Sequence, residues 1–92
     1  MSTPTRELVF FSGRVQGVGF RYTAQRIARN HPVTGYVRNL PDGRVELVAE
    51  GSSADVTQFV NDVRSSLARY IQDCDVHELD PTDEFDGFEI RH

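Results

Sequence analysis

The sequence has no lysine and no tryptophan, a single cysteine and no long run of apolar residues. A single cysteine excludes an intrachain disulfide. No stretch approaches the ~20 apolar residues that cross a bilayer. The polar start, Met1 to Glu7, also lacks the apolar core of a signal peptide. We therefore expect a cytoplasmic protein that has no membrane partner.

Metal and redox chemistry also have little support in the residue types. Cys74 lies between Asp73 and Asp75. Their negative charges raise the pKa of a thiol instead of activating it, so we expect an inert strand residue. The histidines are widely separated in the sequence and share no ligand spacing with the cysteine. We expect no bound metal and no cofactor.

The charge is net acidic and unevenly distributed. The 92 residues carry a formal charge of −4, with a pI near 5.2. This balance argues against a protein that mainly binds nucleic acid. Residues 1–45 hold seven arginines against two acids, a net of +5, whereas residues 46–92 hold three against twelve, a net of −9. Such an asymmetry indicates a basic tail, an anion site or two complementary faces.

Length and hydrophobic periodicity predict one domain over residues 1–92, with residues 1–6 as a flexible N-terminal tail. Apolar runs and β-branched residues predict strands, and a change to helical spacing predicts helices that begin at Phe20 and at Ser52 or Ser53. The predicted strands are 8–15, 33–39, 45–49, 74–79 and 87–91, and the predicted helices are 20–30 and 53–70.

The resulting order is β-α-β-β-α-β with a short strand appended. This order is typical of the ferredoxin-like, or split βαβ, α+β fold, in which two helices cover one face of a four-stranded antiparallel sheet. The fold by itself says little about function, because it supports many unrelated activities.

The segment from Gly13 to Arg21 is a strand end, a glycine-containing loop and a helix start. The first N–H groups of a helix lack intrahelical partners and carry the positive end of the macrodipole, and Gly17 and Gly19 let loop N–H groups converge on the same point. Arg21 opposes the dipole unless an anion is bound there, and Arg14 adds positive potential. The alternative is a plain turn with Arg21 in solvent.

Asn39 ends a predicted strand just before the turn Leu40-Pro41-Asp42-Gly43. Its amide both donates and accepts hydrogen bonds, so it could hold a water molecule. The alternative is that the side chain bonds to the backbone of the turn. In the split βαβ plan the second strand can lie near the first, which would place Asn39 and the glycine loop at one pocket.

In these two segments the chain resembles the acylphosphatase family, and the likeness runs from the first strand to the closing Gly87–Arg91. The motifs are Gly13-x-Val15-Gln16-Gly17-Val18-Gly19-Phe20-Arg21 and Gly35-Tyr36-Val37-Arg38-Asn39 with Gly43, Val45 and Gly51. One departure is Phe11, where the family more often has an aliphatic residue, and we expect it in the core.

The resemblance implies a small, metal-independent hydrolase that splits acyl phosphates into a carboxylate and inorganic phosphate. The sequence gives no sign of oligomerisation, so we expect a monomer. It also implies that Asn39 orients the attacking water. The implied holders of the phosphoryl group are the Arg21 side chain and the backbone N–H groups of Gln16, Gly17, Val18, Gly19 and Phe20.

Three other functions compete with this interpretation. The first is a non-catalytic anion-sensing module, which the presence of both Arg21 and Asn39 disfavours. The second is an accessory domain like those at the front of hydrogenase-maturation proteins. We expect a free-standing enzyme instead, because this sequence carries no zinc-finger or downstream domain. The third is a ferredoxin-like RNA-binding module. Phe10 and Phe11 are adjacent, so their side chains point to opposite faces and offer no aromatic platform.

Overall fold

The computed structural model describes residues 3–92, and its helices and strands follow the predicted order. Several bounds differ from the prediction by a few residues. The elements are β1 (Pro4–Gly13), α1 (Phe20–Ala28), β2 (Thr34–Asn39), β3 (Val45–Ser52), α2 (Ser53–Ser66), β4 (Ile71–Leu79) and β5 (Phe88–Arg91).

The strands form one sheet in the order β4-β1-β3-β2-β5. β1 pairs antiparallel with β3 and β4, and β2 pairs antiparallel with β3, which is the predicted four-stranded arrangement. The ferredoxin-like fold is therefore confirmed. β5, in contrast, pairs parallel with β2, so the sheet is mixed and not antiparallel throughout.

Residues 80–87, here called the strap, explain the parallel pairing. They leave the end of β4 at one edge of the sheet and reach β5 at the other edge. Four interstrand spacings of about 4.8 Å measure roughly 19 Å, and eight extended residues span up to about 26 Å. The strap is therefore long enough to pass the whole sheet and return the chain alongside β2.

The core lies between the sheet and the two helices. Alternate strand residues such as Val9 and Phe11 are fully buried there, and Phe11 packs on Phe20 with ring centroids 5.0 Å apart. Phe11 is thus the expected core residue, while Phe10 lies on the opposite face beneath the Arg44 guanidinium. The helices supply the buried residues Phe20, Ala24, Ala28, Val56, Phe59, Val60 and Val63.

The predicted N-terminal tail is wrong for residues 4–6, which belong to β1; residues 1 and 2 lie outside the described residues. Thr5 is buried, and Arg6 lies opposite Glu50 with an ion pair of 3.3 Å. Polar residues that pair with polar partners leave no hydrophobic pattern in the sequence, so the strand begins earlier than the pattern indicates.

Two other bounds were also misplaced. β1 ends at Gly13, after a bulge, so Val15 lies in the loop although its side chain is fully buried. α2 ends at Ser66, capped at its start by Ser52, whose Oγ accepts from the Asp55 N–H at 3.2 Å. Tyr70 therefore packs on the core from the turn after the helix. The apolar spacing continued past the helix because the following turn also faces the core.

Candidate active site

The loop between β1 and α1 leads directly into an uncapped helix start. Gly17 and Gly19 have φ values of 79° and 76°, which is the left-handed region that glycine adopts without steric cost. Gly19 is the N-cap residue, no side chain caps the helix, and the first turn contains no acid. The first N–H groups of α1 therefore keep the positive end of the dipole available for an anion.

These groups border a cleft of about 150 Å³ at the end of the sheet. The cleft brings together five of the predicted site residues, namely Gly17, Gly19, Phe20, Arg21 and Asn39, and is completed by Val15 and Tyr22. No lining residue is a carboxylate. The predicted residues Gln16 and Val18 do not line the cleft, nor does Arg14, which is exposed.

Gln16 has a structural role that the sequence did not indicate. Its Nε2 donates to the carbonyl oxygens of Leu40 and Arg44, at 2.8 and 2.9 Å. These carbonyls belong to the turn that follows Asn39, and the Leu40 N–H also donates to Arg44 O at 2.8 Å. One side chain thus fastens the glycine loop to the turn, and so sets the distance between the helix start and Asn39.

Asn39 is the last residue of β2, in register with Val45. Its side chain lines the cleft, and Oδ1 is buried without a hydrogen-bond partner among residues 3–92. In the turn itself the side-chain acceptor is Asp42, whose carboxylate receives the Arg44 N–H at 3.1 Å. The turn therefore does not depend on the Asn39 amide for its hydrogen bonds. A buried polar atom without a partner is costly, and such atoms are typical of functional sites.

Arg21 differs from the arginines on the sheet. Arg38 and Arg44 form ion pairs with Glu46 and Asp42, each at 2.8 Å. Arg21 is half-buried, and within the described part of the chain it has no ion pair. Its Nη1 lies 3.2 Å from Nδ1 of the exposed His92. Within residues 3–92, therefore, no carboxylate competes with an anion in the cleft for this guanidinium.

A wider groove of about 660 Å³ lies between α2 and β4, and includes Arg64 and Cys74 in its lining. Its side chains are mostly exposed, and no helix start opens into it. Burial raises the pKa of the Cys74 thiol, the charge of Arg64 opposes this shift, and Asp75 and Glu7 each add a smaller increase. The raised pKa agrees with the inert thiol predicted, although burial, not the flanking acids, is its main cause. The smaller cleft is the better candidate site.

Within residues 3–92 no group of three or more histidine, cysteine or acidic side chains is placed to hold a metal ion. No helix in the same range is both long and apolar enough to cross a bilayer.

Fold and cleft together define the class of this protein: a small ferredoxin-like α+β domain with a candidate anion site at one end of its sheet. Comparison with known sequences gives the family. The sequence model of the acylphosphatase family matches residues 8–90. The chain therefore belongs to the acylphosphatase family and is a hydrolase.

Individual relatives are similar to this chain over nearly its full length. The acylphosphatase of Haloarcula marismortui is 48% identical over 88 residues, which cover 95% of this chain and 96% of that protein. The crystal structure of acylphosphatase from Bacillus subtilis superposes with a TM-score of 0.85 and 33% identity, covering 96% of this chain and 99% of that one. T. kodakarensis HypF is also similar, with a TM-score of 0.76 and 29% identity, but 98% of this chain covers only 12% of HypF.

Proposed function

We propose that this protein hydrolyses the carboxyl–phosphate bond of acyl phosphates. The observation that carries the proposal is the convergence of three groups on one small cleft whose lining residues include no carboxylate. They are an uncapped helix start, an arginine that has no ion pair within residues 3–92, and a buried amide oxygen. Membership of the acylphosphatase family supports the same substrate class.

In this proposal the phosphoryl group binds at the start of α1. The guanidinium of Arg21 donates two parallel N–H bonds to its oxygens, and the N–H groups of Gly17, Gly19 and Phe20, the loop residues that line the cleft, donate the others. Phosphoryl transfer depends mainly on positioning and on stabilising charge, with little covalent work by the protein. The cleft offers fixed donors in place of solvent, so they need not reorganise during the reaction.

Asn39 holds the attacking water in this mechanism. Its Oδ1 accepts a hydrogen bond from the water, which places the water oxygen opposite the acyl oxygen. The water oxygen bonds to phosphorus, the bond from phosphorus to the acyl oxygen breaks, and its electron pair leaves with the carboxylate. One water proton passes to a phosphate oxygen of the substrate. An amide suits this position better than a carboxylate, because a second negative charge would repel the dianion.

The reaction needs no strong general acid, because a carboxylate is already a good leaving group. Positive charge for the transferring group comes from Arg21 and the helix dipole. We therefore propose that turnover requires neither a metal ion nor a cofactor.

Phosphate release from acetyl phosphate, with and without a chelator, tests the proposal. We expect activity that is insensitive to the chelator. Asn39→Ala should lower kcat by about 10²–10³, the loss typical of one preorganised polar group, while inhibition by inorganic phosphate stays close to that of the unmodified protein. Asn61→Ala, an exposed asparagine on α2, is the matched control and should retain activity.

A protein that binds phosphate but releases none from acetyl phosphate would instead be a non-catalytic anion-binding module. If Asn39→Ala weakened phosphate inhibition as much as it lowered kcat, Asn39 would be a phosphate ligand and not the holder of the water.

We propose further that the protein acts as a cytoplasmic monomer that does not bind nucleic acid. The half-buried free thiol of Cys74 suits a reducing compartment. Acidic residues on the edge strand β4, such as Asp73 and Asp75, oppose pairing with a second copy. Phe11 is fully buried while Phe10 lies on the other face, which leaves no pair of adjacent aromatics for stacking bases. Sedimentation and cell fractionation test these assignments.

A further inference from the structure

Tyr22 is a large aromatic side chain that the fold leaves in solvent. Its exposed fraction is 73%, and it follows Arg21 in the first turn of α1. It nevertheless lines the cleft that Arg21 and Asn39 share. A residue so exposed adds little to packing, so a structural role does not explain an aromatic at this position.

The size of the cleft determines where the rest of a substrate must lie. A volume of about 150 Å³ equals roughly five water molecules at about 30 Å³ each. That space suits the five heavy atoms of a phosphate group. The acyl group of an acyl phosphate therefore has to project through the mouth of the cleft.

The mouth offers one apolar surface to such a group. Of the residues that line the cleft, only Gly17, Gly19 and Tyr22 are exposed, and the two glycines have no side chain. The open space above both glycines, where an added Cβ would meet no atom within 4 Å, leaves room for a ligand beside the tyrosine ring.

We infer that Tyr22 forms an acyl-group subsite that favours flat, apolar acyl groups, aromatic ones in particular. The ring packs against the acyl group as it leaves the cleft, through the offset or edge contacts that aromatic rings prefer. This inference rests on the proposed acyl phosphate hydrolysis, and it adds a preference among acyl phosphates that the phosphate-binding loop cannot provide.

The experiment compares kcat/KM for benzoyl phosphate and acetyl phosphate. Tyr22→Ala should lower the benzoyl-to-acetyl ratio by about five- to tenfold, the scale of one aromatic contact. Tyr22→Phe keeps the ring and should keep the ratio. Leu79→Ala removes an exposed apolar side chain on β4, away from the cleft, and should also leave the ratio unchanged. Because Tyr22 is exposed, its variants should fold, which thermal unfolding checks.

The outcomes separate the two claims. If the unmodified protein hydrolyses both substrates and Tyr22→Ala leaves their ratio unchanged, the acyl subsite is wrong and the proposed function stands. An equal loss on both substrates would make Tyr22 part of the phosphate site, and would equally overturn the subsite. If neither substrate is hydrolysed, the proposed function fails and the subsite fails with it.

Discussion

The two ends of the sheet differ in how fully their polar side chains are hydrogen-bonded within the protein. At the end of the sheet that the strap crosses, here called the strap end, Glu50 accepts hydrogen bonds from the backbone N–H groups of Thr82 and Asp83. Glu50 also forms an ion pair with Arg6. At the cleft end, Arg21 has no carboxylate partner and Oδ1 of Asn39 has no partner at all within the described chain. Both ends lie outside the hydrophobic core, yet the polar groups of the first make many internal bonds and those of the second make few.

The difference separates stability from function. A polar network that is fully bonded inside the protein stabilises and specifies the fold, whereas groups left without internal partners are available to a ligand at a cost in stability. Among the residues that the structure describes, Nε of Arg6 is also buried without a partner, but Nη1 of the same residue contacts Glu50, Thr82 and Glu84. The strap end therefore predicts effects on unfolding, and the cleft end predicts effects on turnover.

The largest expected effect is at the cleft. Arg21→Lys keeps the charge but loses the planar fork that binds two phosphate oxygens at once, so kcat/KM for acetyl phosphate should fall by about 10²–10³. The free energy of unfolding should change little, because Arg21 has no ion pair with any residue from 3 to 92. Steady-state kinetics and urea unfolding measure the two quantities.

Arg38→Lys is the matched control, since Arg38 is next to the cleft residue Asn39 but pairs with Glu46 on the open face of the sheet. It should keep nearly full activity. Near-normal turnover by Arg21→Lys, or a comparable loss in both variants, would contradict the division between the two ends.

Two glycines should differ in how strongly their substitution lowers the free energy of unfolding. Gly35 has a φ of 146°, and an added Cβ would overlap the carbonyl oxygen of Val48. Gly35→Ala should therefore cost about 3 kcal/mol or more, because strand pairing has to shift. At Gly19, φ is 76° and a Cβ meets open space, so Gly19→Ala should cost only about 1 kcal/mol. Urea unfolding gives both values.

The loss of turnover should be larger for the variant that loses less stability. Under conditions where both are folded, Gly19→Ala should lower turnover more, because it moves the helix start that borders the cleft. Equal stability losses would show that the space around the glycine does not matter, and only its backbone angle does.

Turnover should change least on substitution of Glu50, which is 5% exposed. Burial acts to raise the pKa of Glu50, but bonds from Asp83 and Thr82 and the charge of Arg6 outweigh it, so the pKa lies below its ordinary value. Because the pKa is lower in the folded state, the ionised carboxylate stabilises the protein at pH values above the unfolded pKa of about 4.3. This stabilisation is lost as the pH falls through the folded-state pKa.

Glu50→Gln should therefore lower the free energy of unfolding by about 1–3 kcal/mol at pH 7, and the gap should narrow as the pH falls below about 4. Turnover at pH 7 should be close to normal while the variant is folded. Urea unfolding at pH 7 and at a series of acid pH values tests the prediction, and a gap that did not narrow in acid would mean that the ionised carboxylate is not the cause.

The fold was predictable where local patterns were strong. α1 was predicted from Phe20, and the cap of α2 from Ser52 or Ser53; both agree with the structure. The first residues of β1 were missed because their partners are polar residues far along the chain, such as Glu50 opposite Arg6. The parallel pairing of β5 was missed because it depends on the path of the strap and leaves no pattern in either strand.

The candidate site was predictable in its residue types but not in its architecture. Glycines before a helix and an arginine in its first turn indicated an anion site, and the cleft contains them. The hydrogen bonds from Gln16 to Leu40 and Arg44 could not be predicted from the sequence, because they join residues that only the folded chain brings together. Tyr22 was missed because an aromatic in a helix is usually a core residue, and only its exposure identifies it.

The position of β4 has a consequence for how the chain folds. β1 is an interior strand of the sheet, and its outer partner is β4, so that Phe11 pairs with Cys74 across most of the sequence. Pairings between such distant residues slow folding, typically into the range of about milliseconds to seconds. During synthesis the sheet cannot be completed until residues 71–91 have left the ribosome. Until then one side of β1 is unpaired, and the nascent chain is most exposed to association with other strands.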